Sequence, residues 1–137
     1  MLKYIKEYIL SNRVHLIDSL SETDKNNLYR NADLFVSPSL HEGFGRTPIE
    51  ASMFKIPVIT SRETSLPEVT MELVNYYEPA RDVEALAEAI IKVLKNPPSE
   101  EELSRIKCIY ENKYKSESIA QNYYDLCKSF IGKNKQE

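Results

Sequence analysis

An open α/β sheet of parallel strands with flanking helices is the fold class this sequence predicts. Short apolar runs at 14–17, 34–36, 57–60 and 73–77 alternate with segments of helical period, and capping residues stand before several of those segments. The length of 137 residues fits one core and is short for two. Strands separated by helices favour parallel pairing through right-handed crossovers, the arrangement of the Rossmann type.

Leu2, Ile5, Tyr8 and Ile9 recur at close to helical spacing, so 2–10 reads as a helix, and 14–17 reads as a short strand. Ser21 with Asp24 three residues on forms a capping-box pattern that opens a helix through Arg30. Leu34 to Val36 follows as a buried strand closed by Ser37, Pro38 and Ser39. A glycine-containing loop then leads into a helix near Arg46 to Phe54. Pro57 to Thr60 is the next strand, its proline at the start, where a missing N–H is tolerated. Ser65 to Met71 reads as a short helix or turn and Leu73 to Tyr77 as a further strand. Asp82 caps a long helix whose apolar face is Val83, Leu86, Ala87, Ile90, Ile91 and Leu94. Asn96, Pro97 and Pro98 break the chain, and Ser99 with Glu102 opens a helix to about Asn112. A last helix from about Ser116 to Ile131 carries Ile119, Tyr123, Leu126, Cys127 and Phe130. The expected organisation is one domain over 1–131 and a flexible tail over 132–137.

Composition removes several function classes. A net charge of −3 gives no basic excess, which argues against nucleic acid as a partner. The chain has no apolar stretch near the roughly 20 residues needed to span a bilayer and no signal-peptide core, so the expected compartment is the cytoplasm. Cys108 and Cys127 stand among helix formers with no partner motif, and are expected to pack as small reduced hydrophobes.

The segment His41-Glu42-Gly43-Phe44-Gly45-Arg46-Thr47-Pro48-Ile49-Glu50 lies between the carboxyl end of a strand and a helix start, where open α/β sheets place their ligands. Gly43 and Gly45 permit close backbone approach, and the N–H groups of Gly45, Arg46 and Thr47 fall near the helix N-terminus, which suits a phosphate. Pro48 fits the first helical turn. Glu42 in the loop and Glu50 about a turn into the helix offer carboxylates to hydroxyl groups. Amides for a phosphate between acceptors for two polyols match the layout of a nucleotide sugar. Taken by spacing alone, Gly-Phe-Gly also reads as a tight turn, Arg46 and His41 as solvated side chains, and Phe44 as a core residue.

Asn31-Ala32-Asp33-Leu34-Phe35-Val36-Ser37-Pro38-Ser39, Glu42-Gly43-Phe44-Gly45, Glu50-Ala51, Pro57-Val58-Ile59 and Leu66-Pro67-Glu68-Val69 stand in this order. Together they resemble the signature of the retaining glycosyltransferase family with the GT-B fold (group 1, E-x7-E motif). The resemblance covers about Val14 to Leu94 and extends loosely to the C-terminal helices. It implies a partial GT-B C-terminal domain that binds a nucleotide-sugar donor, with sugar transfer to a saccharide or lipid-linked acceptor, polysaccharide biosynthesis as the setting, and no essential metal or other cofactor. It places Glu42 at the donor sugar as the catalytic carboxylate and Glu50 at the nucleotide ribose. Backbone amides of Gly43, Phe44, Gly45, Arg46 and Thr47 would contact the sugar and diphosphate. A lipid-linked acceptor would put the protein at the inner face of the membrane.

The sequence departs from that pattern in stated places. The resemblance expects two further strand–helix units carrying an Arg and Lys clamp for the diphosphate, and an acceptor-binding N-terminal domain; nothing before Val14 has room for them. In the family's sheet order those strands lie between the Val14 and Leu34 strands, so an unpaired edge is expected, open to another chain or a second copy. Lys55 stands where the family usually has glycine, and Thr64-Ser65 replaces a common glycine pair. Tyr110, Tyr114, Tyr123 and Tyr124 are candidates for a domain interface. Two alternatives to a donor-binding domain follow: a noncatalytic partner subunit or inactive fragment that keeps the fold, and, fitting less well, a hydrolase that uses the two glutamates as acid and base.

Overall fold

The apolar strand runs assemble into a three-stranded parallel sheet covered on both faces. A computed structural model describes residues 13–133; the helix expected at 2–10 lies outside them. In order the elements are α1 (Glu22–Asn31), β1 (Phe35–Ser37), α2 (Arg46–Met53), β2 (Val58–Ser61), α3 (Leu66–Val69), β3 (Asn75–Tyr77), α4 (Val83–Lys95), α5 (Glu100–Tyr114) and α6 (Ser116–Lys133). The sheet order is β1-β2-β3, with Val36 opposite Ile59 and Thr60 opposite Tyr76. All three strands therefore end on the same side, at Ser37, Ser61 and Tyr77.

The helices start where the capping residues stand. The Asp24 N–H donates to Ser21 Oγ at 3.1 Å, the Glu102 N–H to Ser99 Oγ at 3.1 Å, and the N–H groups of Glu84 and Ala85 to Asp82 Oδ1 at 2.9 and 3.1 Å. Each bond satisfies a donor that the first helical turn leaves without a partner.

Alternation along β2 divides the core. Val58 packs with Tyr29 of α1, Ala51 of α2 and Ile56, while Ile59 turns to the other face and packs with Tyr77 and with Val93 of α4. A third cluster joins Ile49 and Val69 to Ile106 and Tyr110 of α5, so α5 braces α2 and α3 from outside the sheet. Tyr110 is fully buried, and its hydroxyl donates to the Thr70 carbonyl at 2.6 Å; the Tyr114 hydroxyl donates to the Val69 carbonyl. These two tyrosines belong to the internal packing of α5 against the end of α3. Tyr123 and Tyr124 are exposed.

Other expectations need correction. Residues 14–17 form no strand, and Val14, Leu16 and Ile17 are exposed. An extended run becomes a strand only when it pairs with a neighbour, and none of the described strands pairs with 14–17; among the described residues β1 pairs with β2 alone. That leaves the other edge of β1 without a strand neighbour, as the sheet order implied. The inward face of α4 is Ala85, Leu86, Ala89, Ile90 and Val93, whereas Val83, Ala87, Ile91 and Leu94 face outward. Glu84, Glu88, Lys92 and Lys95 share one stripe of the helix and the buried face lies across from it, but the apolar arc between is wide, and its packing against Ile59 and Tyr77 decides which apolar residues turn inward. Cys108 and Cys127 are exposed free thiols and do not pack as core residues. The last helix runs to Lys133 with Ile119, Tyr123, Leu126 and Phe130 exposed. No helix among the described residues is long and apolar enough to cross a membrane.

Candidate functional site

The loop from Pro38 to Gly45 leaves the carboxyl end of β1 and delivers the chain to α2 through one backbone reversal. Gly45, the residue before the helix, has φ 85° in the left-handed region, and a Cβ built there would lie 2.8 Å from Leu66 Cδ2. Only glycine meets both conditions without strain. Glycine also brings no side chain to cap α2, so the helix starts without a side-chain hydrogen bond to its first amides. Those amides and the positive end of the helix dipole face the loop, which makes this end a place for negative charge. Gly43 has nothing within 4 Å of its Cβ position, so its lack of a side chain leaves the loop open on that side.

Glu42 is half-buried and held by hydroxyls. Ser39 Oγ donates to its carboxylate at 2.7 Å, and the Ser39 carbonyl in turn accepts from the Ser61 hydroxyl at the end of β2. The Glu42 N–H donates to Thr64 Oγ1 at 3.1 Å, while Thr64 Oγ1 and Ser65 Oγ donate to the Glu42 carbonyl at 3.2 and 3.0 Å. The loop after β2 thereby fixes the loop after β1.

Glu50, in the second turn of α2, keeps different company. Its Oε1 lies 3.2 Å from Arg46 Nη2 and its Oε2 lies 3.4 Å from Lys25 Nζ of α1. Lys25 also reaches Glu22 at 3.0 Å. The hydrogen bond to Glu22, with the charge of Glu50 adding to it, holds the Lys25 ammonium above the ordinary lysine range. Arg46 is otherwise largely exposed, and its guanidinium is turned to Glu50.

Two cavities flank this pair. One of about 420 Å³ is lined by Phe44, Arg46, Ile49, Glu50, Met53 and Tyr114 among others. The second, of about 360 Å³, is lined by Glu22, Lys25, Asn26, Tyr29, Arg46 and Glu50 among others. Phe44 is half-exposed and meets Tyr114 edge-on at 5.8 Å between ring centroids, so it is a wall of the first cavity and not a core residue. A smaller cavity of about 180 Å³, lined by Ile56, Pro57, Leu73 and Asn75, opens at the amino ends of β2 and β3, away from the Glu42 loop.

The structure thus brings Phe44, Arg46 and Glu50 around one cavity and sets Gly45, Arg46 and Thr47 at the bare start of α2. Thr47 and His41 are exposed, and Glu42 is positioned by its own set of partners. Lys25, Ser39, Thr64 and Ser65 were not singled out as site residues from the sequence. Of these, only the Thr64-Ser65 pair carried a signal, as a departure from an expected glycine pair.

Comparison with known proteins gives the family and the fold. The family model described as Glycosyl transferases group 1 matches residues 1–108. The capsular polysaccharide biosynthesis glycosyltransferase CapM of Staphylococcus aureus is 29% identical over 111 residues, covering 80% of this chain and 29% of that protein. An MMP alpha-(1->4)-mannosyltransferase of Mycolicibacterium hassiacum is 34% identical over 98 residues, covering 69% of this chain and 24% of that protein. The structure of sucrose-phosphate synthase from Thermosynechococcus elongatus superposes with a TM-score of 0.73 at 27% identity, covering 93% of this chain and 34% of that one. The chain spans about a quarter to a third of the length of these relatives. An α/β sheet with helices on both faces, the group 1 match over most of the chain and the likeness to a larger glycosyltransferase agree: the chain belongs to the group 1 glycosyl transferases.

Proposed function

We propose that this chain binds a nucleotide-sugar donor at the carboxyl end of its sheet and supplies the donor side of a retaining sugar transfer. The observation that carries the reading is the uncapped start of α2 behind Gly45, with Glu42 on the preceding loop and Glu50 a turn into the helix. The amides of Gly43 to Thr47 meet the diphosphate, Glu50 accepts from the ribose hydroxyls, and Glu42 lies at the donor sugar. In the transfer the bond from the anomeric carbon to the diphosphate oxygen breaks and a bond to an acceptor hydroxyl forms, with the hydroxyl proton passing to the departing phosphate oxygen. Positive charge develops on the sugar and negative charge on the diphosphate; Glu42 stabilises the first and the helix start the second. The reading invokes no metal.

The acceptor, a saccharide or a lipid-linked one, engages parts of the protein beyond this unit, in line with the share of the relatives that the chain spans. A mannosyl donor is the first to try, since the M. hassiacum relative is named a mannosyltransferase. The test is calorimetric titration of the chain with GDP, GDP-mannose, UDP and UDP-glucose, repeated with Glu50→Ala. Saturable binding that the substitution weakens about tenfold supports the reading; no binding at millimolar ligand overturns it.

A second reading, a partner-binding module that does not turn over, is favoured by two features. The outer face of α6 presents Tyr123, Leu126 and Phe130 to solvent, and among the described residues one edge of β1 has no strand neighbour. Light scattering across a concentration series separates the two readings: association without donor affinity supports the second, and donor affinity in a monomer supports the first.

A further inference from the structure

Thr64 occupies a backbone conformation that its side chain disfavours. Its φ of 49° lies in the left-handed region, where a β-branched residue is an outlier. Such positions persist where the surroundings over-determine them, and they gather at functional sites. Here the surroundings are Glu42. The Thr64 hydroxyl accepts from the Glu42 N–H and donates to the Glu42 carbonyl, and Ser65 donates to that same carbonyl. No other residue of the 40–45 loop is held at both its backbone donor and its backbone acceptor by side chains among the described residues. At the far end of Glu42, Ser39 donates to Oε1, and Ser39 is itself anchored through its carbonyl to Ser61 of β2. Hydroxyls on two loops thus fix the backbone of Glu42 and one of its carboxylate oxygens, and among the described residues Oε2 accepts from none.

We propose that Thr64 and Ser65 are positioning residues for the donor sugar: their hydroxyls hold the Glu42 backbone so that its carboxylate stands ready for a sugar hydroxyl or for the charge on the sugar ring. The inference rests on the donor reading above and goes beyond it by assigning the sugar increment of donor affinity to residues that do not touch the donor. A purely structural role predicts that losing the threonine lowers stability and affinity together. A positioning role held against backbone strain predicts that they separate.

The test uses the full chain with Thr64→Gly, Thr64→Ser and Ser65→Ala. Thermal unfolding, amide hydrogen exchange at Glu42, and titration with GDP and GDP-mannose, or UDP and UDP-glucose, are measured on each. Thr64→Gly relieves the left-handed strain, so its Tm stays level or rises, while the Glu42 amide exchanges faster. The ratio of sugar-nucleotide to nucleotide affinity falls about tenfold, the order expected for loss of well-made hydrogen bonds. Thr64→Ser keeps the hydroxyl and restores both the ratio and the protection. A wild-type chain that binds nucleotide and sugar nucleotide, with Thr64→Gly showing the same ratio, overturns the positioning role and leaves the donor reading intact. Equal loss of both ligands in Thr64→Gly also overturns it. A wild-type chain that binds neither overturns the donor reading, and this inference with it.

Discussion

Arg46 and Glu50 face each other across one turn of α2, with Nη2 of the arginine 3.2 Å from Oε1 of the glutamate, while Lys25 of α1 approaches the other carboxylate oxygen at 3.4 Å. Two cations from two helices therefore place one carboxylate between the two cavities that flank α2. Arg46 is largely exposed and the Lys25–Glu50 pair is half-buried at a long 3.4 Å, so both orient Glu50 more than they stabilise the fold. Lys25→Met is expected to leave the Tm within about 2 °C of wild type and to weaken nucleotide binding about threefold, because Glu50 loses one of its two guides. Raising salt to about 0.5 M should produce a similar loss in the wild type and a smaller one in the variant, since screening removes the same attraction. Titration at two ionic strengths checks both statements; equal salt dependence in the two proteins would show that Lys25 does not guide Glu50.

Gly43 and Gly45 occupy one short loop but do different work. A methyl at position 45 meets the fully buried Leu66 at 2.8 Å and also Val69, from a backbone at φ 85°. Gly45→Ala is therefore expected to cost about 2–3 kcal/mol, seen as a Tm lower by roughly 10 °C. A methyl at position 43 meets nothing within 4 Å, and Gly43→Ala should leave the Tm within about 2 °C. Differential scanning calorimetry of the two variants decides; similar losses in both would mean that the loop conformation, and not the packing of α3 against Gly45, sets the requirement.

Lys55 shows how a sequence departure and the backbone beneath it can part company. The residue follows α2 with φ 59°, the conformation for which glycine is the usual choice after a helix, although lysine stands there. The αL strain of a side chain, about 1–2 kcal/mol, exceeds the extra chain entropy that glycine loses, about 0.5–1 kcal/mol. The exposed pair of Lys55 with Glu100 at 3.4 Å adds little to the balance. Lys55→Gly is expected to raise the Tm by roughly 2–4 °C. An unchanged or lower Tm would show that the Glu100 pair outweighs the strain.

The parts of this molecule that could be read from sequence are those set by local rules. Ser21, Asp82 and Ser99 cap the helices they precede because each needs only the next few amides. The strands around Val36, Ile59 and Tyr76 follow from apolar runs between punctuating residues, and the position of Gly45 before α2 follows from its place in a strand–loop–helix connection. What could not be read depends on partners distant in the chain. Val14 to Ile17 has strand composition but pairs with none of the described strands. The charged stripe of α4 fixes its solvent side, but its apolar arc is wide, and packing against Ile59 of β2 and Tyr77 of β3 decides which apolar residues are buried. The setting of Glu42 depends on Thr64 and Ser65, and that of Glu50 on Lys25; in each case the contact closes a span of more than twenty residues that no local period reports.

Tyr110 gives the fold a built-in sensitivity to alkali. Its ring is fully buried between α2, α3 and α5, and its hydroxyl donates to the carbonyl of the equally buried Thr70 at 2.6 Å. Burial, with smaller contributions from Tyr76 and Tyr114, pushes its phenol well above the ordinary value of 10.0. In the unfolded chain the same phenol ionises near its ordinary value. Above that pH the unfolded state therefore binds fewer protons than the folded one, and stability falls as pH rises. The contribution is fully present below about pH 10 and is lost progressively above it, as pH rises toward the folded-state value. Burial raises Tyr29, Tyr76, Tyr77 and Tyr114 in the same direction, so the loss is collective. Tyr110→Phe is expected to act in two opposite ways. At neutral pH it removes one of the two donors to the Thr70 carbonyl, leaving the Leu73 N–H at 2.9 Å, and lowers stability by about 1 kcal/mol. Between about pH 10 and 12 its stability should fall less steeply than that of the wild type, because one of the phenols that drive the loss is gone. Urea unfolding at pH 7, 9, 10 and 11 reads both effects; parallel pH profiles for the two proteins would show that Tyr110 does not contribute to the alkaline transition.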